Sequence, residues 1–297
     1  MLTALFVVAR IVANPVSNVF QKQLTQRSAN PLFIIGATDV VLAVAVLPLF
    51  FLGAVPLALA PGFWTNMTIC ATLAVAGNVL LVYALESADL SVLGPINAYK
   101  SVVSLVLGVF LLGEIPGAMG AAGVLLIVAG SYFVVDRDPN QPRSNAFARF
   151  FRERGIQFRF AALVVSATEA IFLKKTLLLS SPVTTFVFWS ILGVPIAAAA
   201  MALLHRKRLG TEIALFRLHW PTYAWLAVTT GIMQLTSLLT FAKVQVGYSL
   251  ALFQLSTLIS VFLGYRYFQE GQIRKRLLGS AIMAAGAVLI VLQGHNR

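Results

Sequence analysis

Two charged residues lie in apolar stretches of this chain, and the type of each suggests what it would bind. Lys100 is the only charge in the run from Leu90 to Leu112, and Glu169 lies in the segment ALVVSATEAIFLKK. A charge at the centre of a membrane helix costs at least ~2.5–3.5 kcal/mol, so such residues usually have a function. We expect Lys100 to hold a carboxylate or phosphate and Glu169 to hold an ammonium. Because burial favours the neutral form of a carboxylic acid, Glu169 is also the predicted proton carrier.

Lys100 and Glu169 are predicted to lie at a similar depth, which leaves two interpretations open. In the first, they neutralise each other as a buried ion pair. In the second, they hold opposite ends of a solute or exchange partners with it. Opposite charges at one depth favour a zwitterionic solute over a purely anionic or cationic one. Arg10 and Asp39 form a second candidate pair, which we interpret as a structural ion pair.

Uncharged polar residues extend this set. Arg10, Asn14 and Asn18 recur every four residues, so at about 100° per residue they share one helix face. Unpaired polar groups are costly against lipid, so these residues should face the bundle interior or a wet cavity. The alternative is that they form hydrogen bonds between packed helices. The candidate substrate-binding residues beside Lys100 and Glu169 are Asn14, Asn18, Asn78, Tyr83, Asn97, Gln234 and Gln254.

The elements that must position these residues are membrane helices. The 297 residues are 59% hydrophobic and only 11% charged, whereas soluble chains carry roughly 25% charged residues. Uncharged runs of about 20 residues are long enough to cross the hydrocarbon core. The predicted fold is an all-α integral membrane protein with ten transmembrane helices. The predicted spans are 2–21, 31–52, 64–84, 91–112, 117–135, 159–180, 183–204, 221–242, 247–265 and 277–293.

A basic connecting loop, 136–158, divides the ten spans into five and five. Residues 111–130 match residues 267–286 at an offset of 156, which aligns Glu114 with Glu270 and also aligns two glycine pairs. Both glutamates precede helices, where a carboxylate meets free N–H groups, so we interpret them as fold determinants. An odd number of spans reverses the second half in the membrane. The sequence therefore predicts two inverted five-helix repeats, 1–135 and 159–297, an arrangement typical of secondary transporters.

The positive charges indicate the orientation of the chain. Sixteen Lys and Arg residues follow the odd-numbered spans and at most four lie on the opposite side. Because basic loops concentrate on the cytoplasmic side, both termini are predicted to lie outside the cytoplasm. The net charge of +12 is spread over short loops, so the sequence predicts no nucleic-acid binding.

The duplicated pattern of a Gly-Glu turn followed by spaced glycines resembles the EamA-type branch of the drug/metabolite transporter superfamily. The resemblance implies ten helices in two inverted units around a central cavity, and small metabolites as cargo, often moved outward. Span 2 is usually peripheral in that family, which supports a structural role for Arg10 and Asp39. Gln269 replaces the expected glycine of the second turn, and Ala251 replaces the proline that Pro95 supplies in the first half. The matching residues are Gly113, Glu114, Gly123, Gly130, Glu270, Gly279 and Gly286.

The sequence thus predicts a secondary active transporter, preferably an exporter, of a small polar or amphiphilic metabolite such as an amino acid or amine. A carrier or flippase for a phosphorylated or lipid-linked headgroup is the alternative, and an excess of basic residues in the cavity would favour it. A non-transporting scaffold or receptor is the alternative from another class. The three histidines lie in loops or the tail, and no catalytic constellation is evident. We therefore expect no enzyme activity, cofactor or metal.

The expected partners are a small-molecule substrate and the lipid bilayer, with the bacterial inner membrane as the predicted location. Small residues on spans 5 and 10 allow close helix approach. These two faces are predicted to meet each other or to join two copies of the chain as a homodimer.

Overall fold

The structure is a computed structural model that describes residues 2–56, 59–103, 117–134, 151–244 and 246–293. All the regular structure in these ranges is helical, and six helices are long and apolar enough to cross a membrane. A helix satisfies its backbone hydrogen bonds internally, which is why apolar segments of this length form helices in lipid. The chain is an integral, multi-pass, all-α membrane protein, as predicted; the number of ten spans is not established by the described residues.

The N-terminal part of the chain forms six helices whose bounds the structure gives, and residues 99–103 are helical as well. Asn30 caps the second of them, because its side-chain oxygen accepts the N–H of Leu32 at 2.9 Å, and Pro31 occupies the first helical position. The helices are α1 (Leu2–Gln26), α2 (Pro31–Val46), α3 (Pro48–Phe51), α4 (Phe63–Ser87), α5 (Leu90–Ile96) and α6 (Ala118–Val134).

The C-terminal part forms seven more α-helices and one 3₁₀ turn, Arg206–Arg208. The Ser181 hydroxyl caps the second of these helices, again with a proline at the first position. The helices are α7 (Arg154–Leu178), α8 (Pro182–Leu204), α9 (Leu209–Leu218), α10 (Trp220–Lys243), α11 (Val246–Phe253), α12 (Ser256–Phe268) and α13 (Ile273–Gln293).

Spans 4 and 9 differ from the prediction, because neither is one continuous helix. Span 4 breaks at a turn at residues 97–98, after α5, and span 9 breaks at residues 254–255, between α11 and α12. Pro95 contributes to the first break because it has no N–H to donate. Backbone bonds of the tighter i→i−3 type, such as Lys100 N–H to the Asn97 carbonyl, carry the chain through each turn.

Two boundaries also differ from the prediction. Helix α7 begins at Arg154, inside the segment predicted as a connecting loop, and the rest of that segment up to residue 150 lies outside the described residues. The ten-residue helix α9 was not predicted. The basic residues at its two ends, Arg206–Arg208 and Arg217, are typical of a polar loop, so the segment was predicted as a loop.

The main contacts between the two parts of the chain follow a regular order. Helix α1 packs on α10 and α4 packs on α7, while α2 packs on α8, α5 on α12 and α6 on α13. Every one of these pairs joins a helix of the N-terminal part to a helix of the C-terminal part. The two parts therefore bury their apolar faces mainly against each other.

Helices α6 and α13 approach so closely that their backbones touch. A Cβ atom added to Gly123 would lie 2.6 Å from the Gly286 carbonyl oxygen, and one added to Gly130 would lie 2.8 Å from the Gly279 carbonyl oxygen. The sequence left open whether these small-residue faces meet each other or a second copy of the chain. The structure shows that they meet each other within the chain. A homodimer through the outer surfaces of α6 and α13 stays a prediction.

Candidate functional site

A central cavity of about 140 Å³ lies between the helices and is lined by polar and apolar side chains in similar measure. Helices α1, α4, α7, α10 and the broken spans 4 and 9 all contribute to its wall. The polar residues that line it are Arg10, Asn14, Asn18, Asn78, Asn97, Lys100, Arg159, Ser166, Glu169, Trp189, Gln234, Ser237 and Gln254.

The cavity brings together eight of the nine candidate substrate-binding residues: Asn14, Asn18, Asn78, Asn97, Lys100, Glu169, Gln234 and Gln254. Tyr83 is the exception, because its ring stacks on Phe158 with a centroid distance of 5.4 Å and does not line the cavity. The four-residue spacing in span 1 predicted its cavity face. Tyr83 lies five residues after Asn78, which places it about 140° away around α4, on another face.

The two helix breaks meet each other at the cavity wall. The Asn97 side-chain N–H₂ lies 3.4 Å from the Gln254 side-chain oxygen, and each residue is at the break of its own span. Discontinuous helices free backbone and side-chain polar groups near the membrane midplane, where they are tolerated if they line a cavity.

Arg159 holds the first break in place. Its side chain donates to the Leu93 carbonyl at 3.1 Å and to the Asn97 side-chain oxygen at 2.9 Å, and the residue is buried. A guanidinium can bridge several acceptors because it carries five donors in a fixed plane. The sequence prediction placed Arg159 at the first residue of span 6 and did not include it among the candidate site residues. The apolar run that follows it, FAALVV, was the available signal that Arg159 begins inside a span.

Arg10 also lines the cavity, which corrects its predicted structural pairing with Asp39. Its Nε donates to the Ser237 hydroxyl at 2.9 Å and its guanidinium lies 4.6 Å from the centre of the Phe253 ring. Its Nη1 is buried and has no hydrogen-bond partner in the described part of the chain. Helix α1 turns this residue toward α10, away from α2, so the predicted ion pair is not formed.

Asp39 instead faces α8. Its carboxylate packs against the backbone of Gly193, where an added Cβ would lie within 2.4 Å of an Asp39 oxygen. The residue is buried and lines a second cavity of about 40 Å³. Asn14, Asn18, Asn78, Trp189 and Met233 line both cavities, so the second space adjoins the first.

Lys100 and Glu169 face the same cavity but do not form a salt bridge within the described residues. Their charges still interact electrostatically across the space between them. A buried pair in direct contact, the first of the two interpretations from sequence, is therefore not what the structure shows. Trp189 and Ser166 join them in the wall; Trp189 lies in an apolar segment that carried no sign of a site.

A second charged cluster lies at one end of the bundle, around Glu270. This carboxylate accepts the backbone N–H groups of Leu90 and Ser91, at 2.8 and 2.7 Å, so it caps α5 from the other part of the chain. It also accepts the Lys22 ammonium at 2.8 Å. These contacts are consistent with the predicted role of Glu270 as a fold determinant. The helix that it caps is α5, and not α13, which follows it in the chain. Glu114, its predicted counterpart, lies outside the described residues.

Burial alone would raise the pKa of the Glu270 carboxyl. The Lys22 ammonium and the hydrogen bonds from Ser91 outweigh burial and hold the pKa below its ordinary value. Arg276 adds a further positive charge, because it donates to the Ser91 hydroxyl and contacts Asp89 at 3.0 Å. The cluster is therefore a compensated network and not a free binding site.

Comparison with known families relates this arrangement to membrane transport. Residues 1–136 match the EamA-like transporter family. The matched range is just under half of the chain. The predicted resemblance to the drug/metabolite transporter superfamily is thereby confirmed, and the chain is assigned as a membrane transporter of small molecules on that basis.

Comparison with solved structures supports the fold over the whole length. One crystal structure, titled only as that of a protein, superposes with a TM-score of 0.62 and covers 97% of this chain and 98% of its own. Its sequence is 14% identical, so the similarity concerns the fold alone. No curated protein matches the chain.

Proposed function

We propose that this protein is a secondary active transporter of a small metabolite that carries a carboxylate and an ammonium, such as an amino acid. The proposal rests on one observation: Lys100 and the unpaired Nη1 of Arg10 line the same cavity as Glu169. A buried polar group without a partner is costly, so an empty donor at a cavity wall favours a ligand that accepts its hydrogen bond.

The roles of the three charges follow from their signs. Arg10 and Lys100 hold the carboxylate, and Glu169 holds the ammonium. The amide groups of Asn97, Gln234 and Gln254 orient the rest of the solute through hydrogen bonds. Gln234 also has a buried amide nitrogen without a partner in the described part of the chain. A second unpaired donor favours a substrate rich in acceptor oxygens.

The alternative substrate, a phosphorylated or lipid-linked headgroup, is favoured by the charge balance of the cavity. Arg10, Lys100 and Arg159 supply three positive charges against the single carboxylate of Glu169. Arg159 is already committed to Leu93 and Asn97, which leaves two free cations. A volume of about 140 Å³ is also below the ~300–1,000 Å³ of pockets that hold drug-sized ligands. Because the cavity is small, we prefer a small zwitterionic substrate. The second free cation would also accommodate a substrate that carries one additional acidic group.

Coupling to protons is assigned to Glu169. When the solute leaves, its ammonium no longer balances the carboxylate, and binding a proton removes the charge. Outward movement of the solute against inward proton movement is the exchange that fits an exporter. The two halves 1–135 and 159–297 would move against each other around the cavity as inverted repeats. The paired packing of α1 on α10 and of α4 on α7 supports this symmetry, because exchanging the halves converts one pair into the other.

The experiment that tests the proposal is thermal stabilisation of the purified protein by amino acids, amines, nucleosides and sugar phosphates. A ligand at a hundred times its dissociation constant adds ~2.7 kcal/mol to the free energy of unfolding. We expect amino acids to stabilise the wild type and Arg10→Gln, Lys100→Gln and Glu169→Gln each to lose the response. The matched controls are Lys175→Gln and Glu86→Gln, since both side chains are exposed outside the cavity.

Two results would contradict the proposal. If sugar phosphates stabilise the protein and amino acids do not, and Glu169→Gln binds as well as the wild type, the headgroup alternative replaces it. If no variant of the cavity alters any response while the protein stays folded, the site lies elsewhere. Proton coupling is tested separately in proteoliposomes, where a pH gradient should drive substrate transport by the wild type and Glu169→Gln should abolish it. Wild-type transport that does not respond to the pH gradient would contradict the coupling.

A further inference from the structure

An apolar groove of about 400 Å³ lies on the outside of the bundle, between α2, α8 and α9. Its walls are made by side chains such as Phe33, Ala37, Ala198 and Phe216. Arg206 is the only charged residue among those that line it, and it lies where α8 ends. The groove therefore combines a hydrocarbon-like interior with one cationic end.

The cationic end is larger than Arg206 alone. The 3₁₀ turn Arg206–Arg208 places three consecutive basic side chains at the surface, and all three are exposed. No acidic residue forms an ion pair with them in the described part of the chain. Glu212 is the nearest acid along the helix that follows, but it is buried and accepts the backbone N–H of Asn30 at 3.0 Å. The charge of the turn is thus uncompensated.

Helix α9 is fixed in position beside the groove, and its other side is exposed. Glu212 anchors it to the start of α2, and Phe216 packs on Tyr223 with a centroid distance of 4.9 Å. Ile213 and Leu218 are exposed and do not line the groove. A short helix with basic ends and exposed apolar side chains is typical of one that lies in the plane of the membrane interface.

We propose that the groove and the basic turn bind an anionic phospholipid, with an acyl chain in the groove and the phosphate on Arg206–Arg208. Apolar walls alone would accept any lipid, but three uncompensated cations at one end select a negatively charged headgroup. Basic pockets between membrane helices on the cytoplasmic side are known to bind such headgroups. This site is separate from the central cavity, and it stands whether or not the proposed substrate is right.

The test compares phosphatidylglycerol with phosphatidylcholine carrying the same acyl chains, each added to the purified protein in neutral detergent. Native mass spectrometry counts the bound lipid, and thermal unfolding measures the stabilisation. We expect the wild type to bind phosphatidylglycerol more tightly, and Arg206→Gln/Arg208→Gln to weaken that binding roughly 30-fold, from the usual contribution of each basic residue. The double variant should bind phosphatidylcholine as the wild type does.

The matched control is Arg266→Gln/Arg274→Gln, which removes two exposed arginines elsewhere and should leave both lipids unaffected. Ala198→Phe keeps the charges but fills the groove, so it should weaken binding of both lipids. Equal binding of the two lipids by the wild type would overturn the proposal, as would an equal loss in the control. A dimer that Ala198→Phe disrupts, with no lipid bound, would show instead that a second copy of the chain occupies the groove.

Discussion

Three cationic side chains at the cavity have different environments. Arg159 is fully engaged by Leu93 and Asn97, whereas Arg10 keeps one nitrogen unpaired. Lys100 follows the break that Arg159 stabilises. One arginine therefore shapes the site, while the other two cations are available to a solute. This division of roles depends on hydrogen bonds between helices and cannot be read from residue type.

The environment of Glu270 predicts how the free energy of unfolding depends on pH. Its pKa is lowered in the folded state, so the carboxylate stabilises the protein above its ordinary pKa, and this stabilisation is lost as the pH falls through the lowered value. Glu270→Gln should lower the free energy of unfolding by about 3 kcal/mol at pH 7, because it leaves Lys22 without its counter-ion and removes one of the two acceptor oxygens. The difference from wild type should stay constant down to about pH 5 and then shrink.

Thermal unfolding of both proteins between pH 8 and pH 4 measures this difference. Glu86→Gln is the control, since Glu86 is exposed and should alter stability little at any pH. A Glu270→Gln protein as stable as wild type at pH 7 would show that the cap is replaced by water or by Asp89.

At the scale of helices, the contact between α6 and α13 brings two helix backbones together at glycines. Gly123→Ala would place a methyl group against the Gly286 carbonyl oxygen and the side chain of Ile290. The helices would have to separate, so we expect a loss of about 1–3 kcal/mol in unfolding free energy. Gly210→Ala is the matched control, because its added Cβ meets nothing within 4 Å.

Measured melting temperatures in one detergent compare the two variants directly. The control should gain slightly, since alanine favours a helix over glycine by up to ~1 kcal/mol. If Gly123→Ala and Gly210→Ala behave alike, the glycine contact does not limit how closely the two helices pack.

The sequence predicted most of the cavity lining because polar residues in membrane helices are rare and their spacing marks a face. It did not predict the breaks in spans 4 and 9. Pro95 was a local signal for the break in span 4. Span 9 has no proline, and its break at residues 254–255 lies where Gln254 contacts Asn97. Tertiary contact of this kind has no counterpart in the hydropathy of a single segment. Helix α9 was missed because its basic flanks outweighed the apolar side chains Leu209, Ile213 and Leu218.

At the scale of the whole molecule, orientation in the membrane is the prediction that decides the direction of transport. The single cysteine, Cys70, is buried, so Cys70→Ser provides a background free of thiols. Ala60→Cys and Lys207→Cys would then place one thiol at each end of the bundle, and both positions are exposed. With both termini outside the cytoplasm, a membrane-impermeant maleimide added to whole cells should label Ala60→Cys and spare Lys207→Cys. The reverse pattern would show that the termini are cytoplasmic.

The cap that Glu270 provides has a consequence for how such a chain could arise. The first turn of α5 takes its acceptor from residue 270, and Lys22 takes its counter-ion from the same carboxylate. A polypeptide ending after α6 would therefore leave two amides without their acceptor, the Lys22 ammonium without its counter-ion, and the glycine face of α6 without α13. Such a fragment is an incomplete fold, so a five-helix ancestor would have needed a second subunit to donate that glutamate. Fusion of the two genes would then have supplied the subunit that carries this glutamate at a fixed one-to-one ratio.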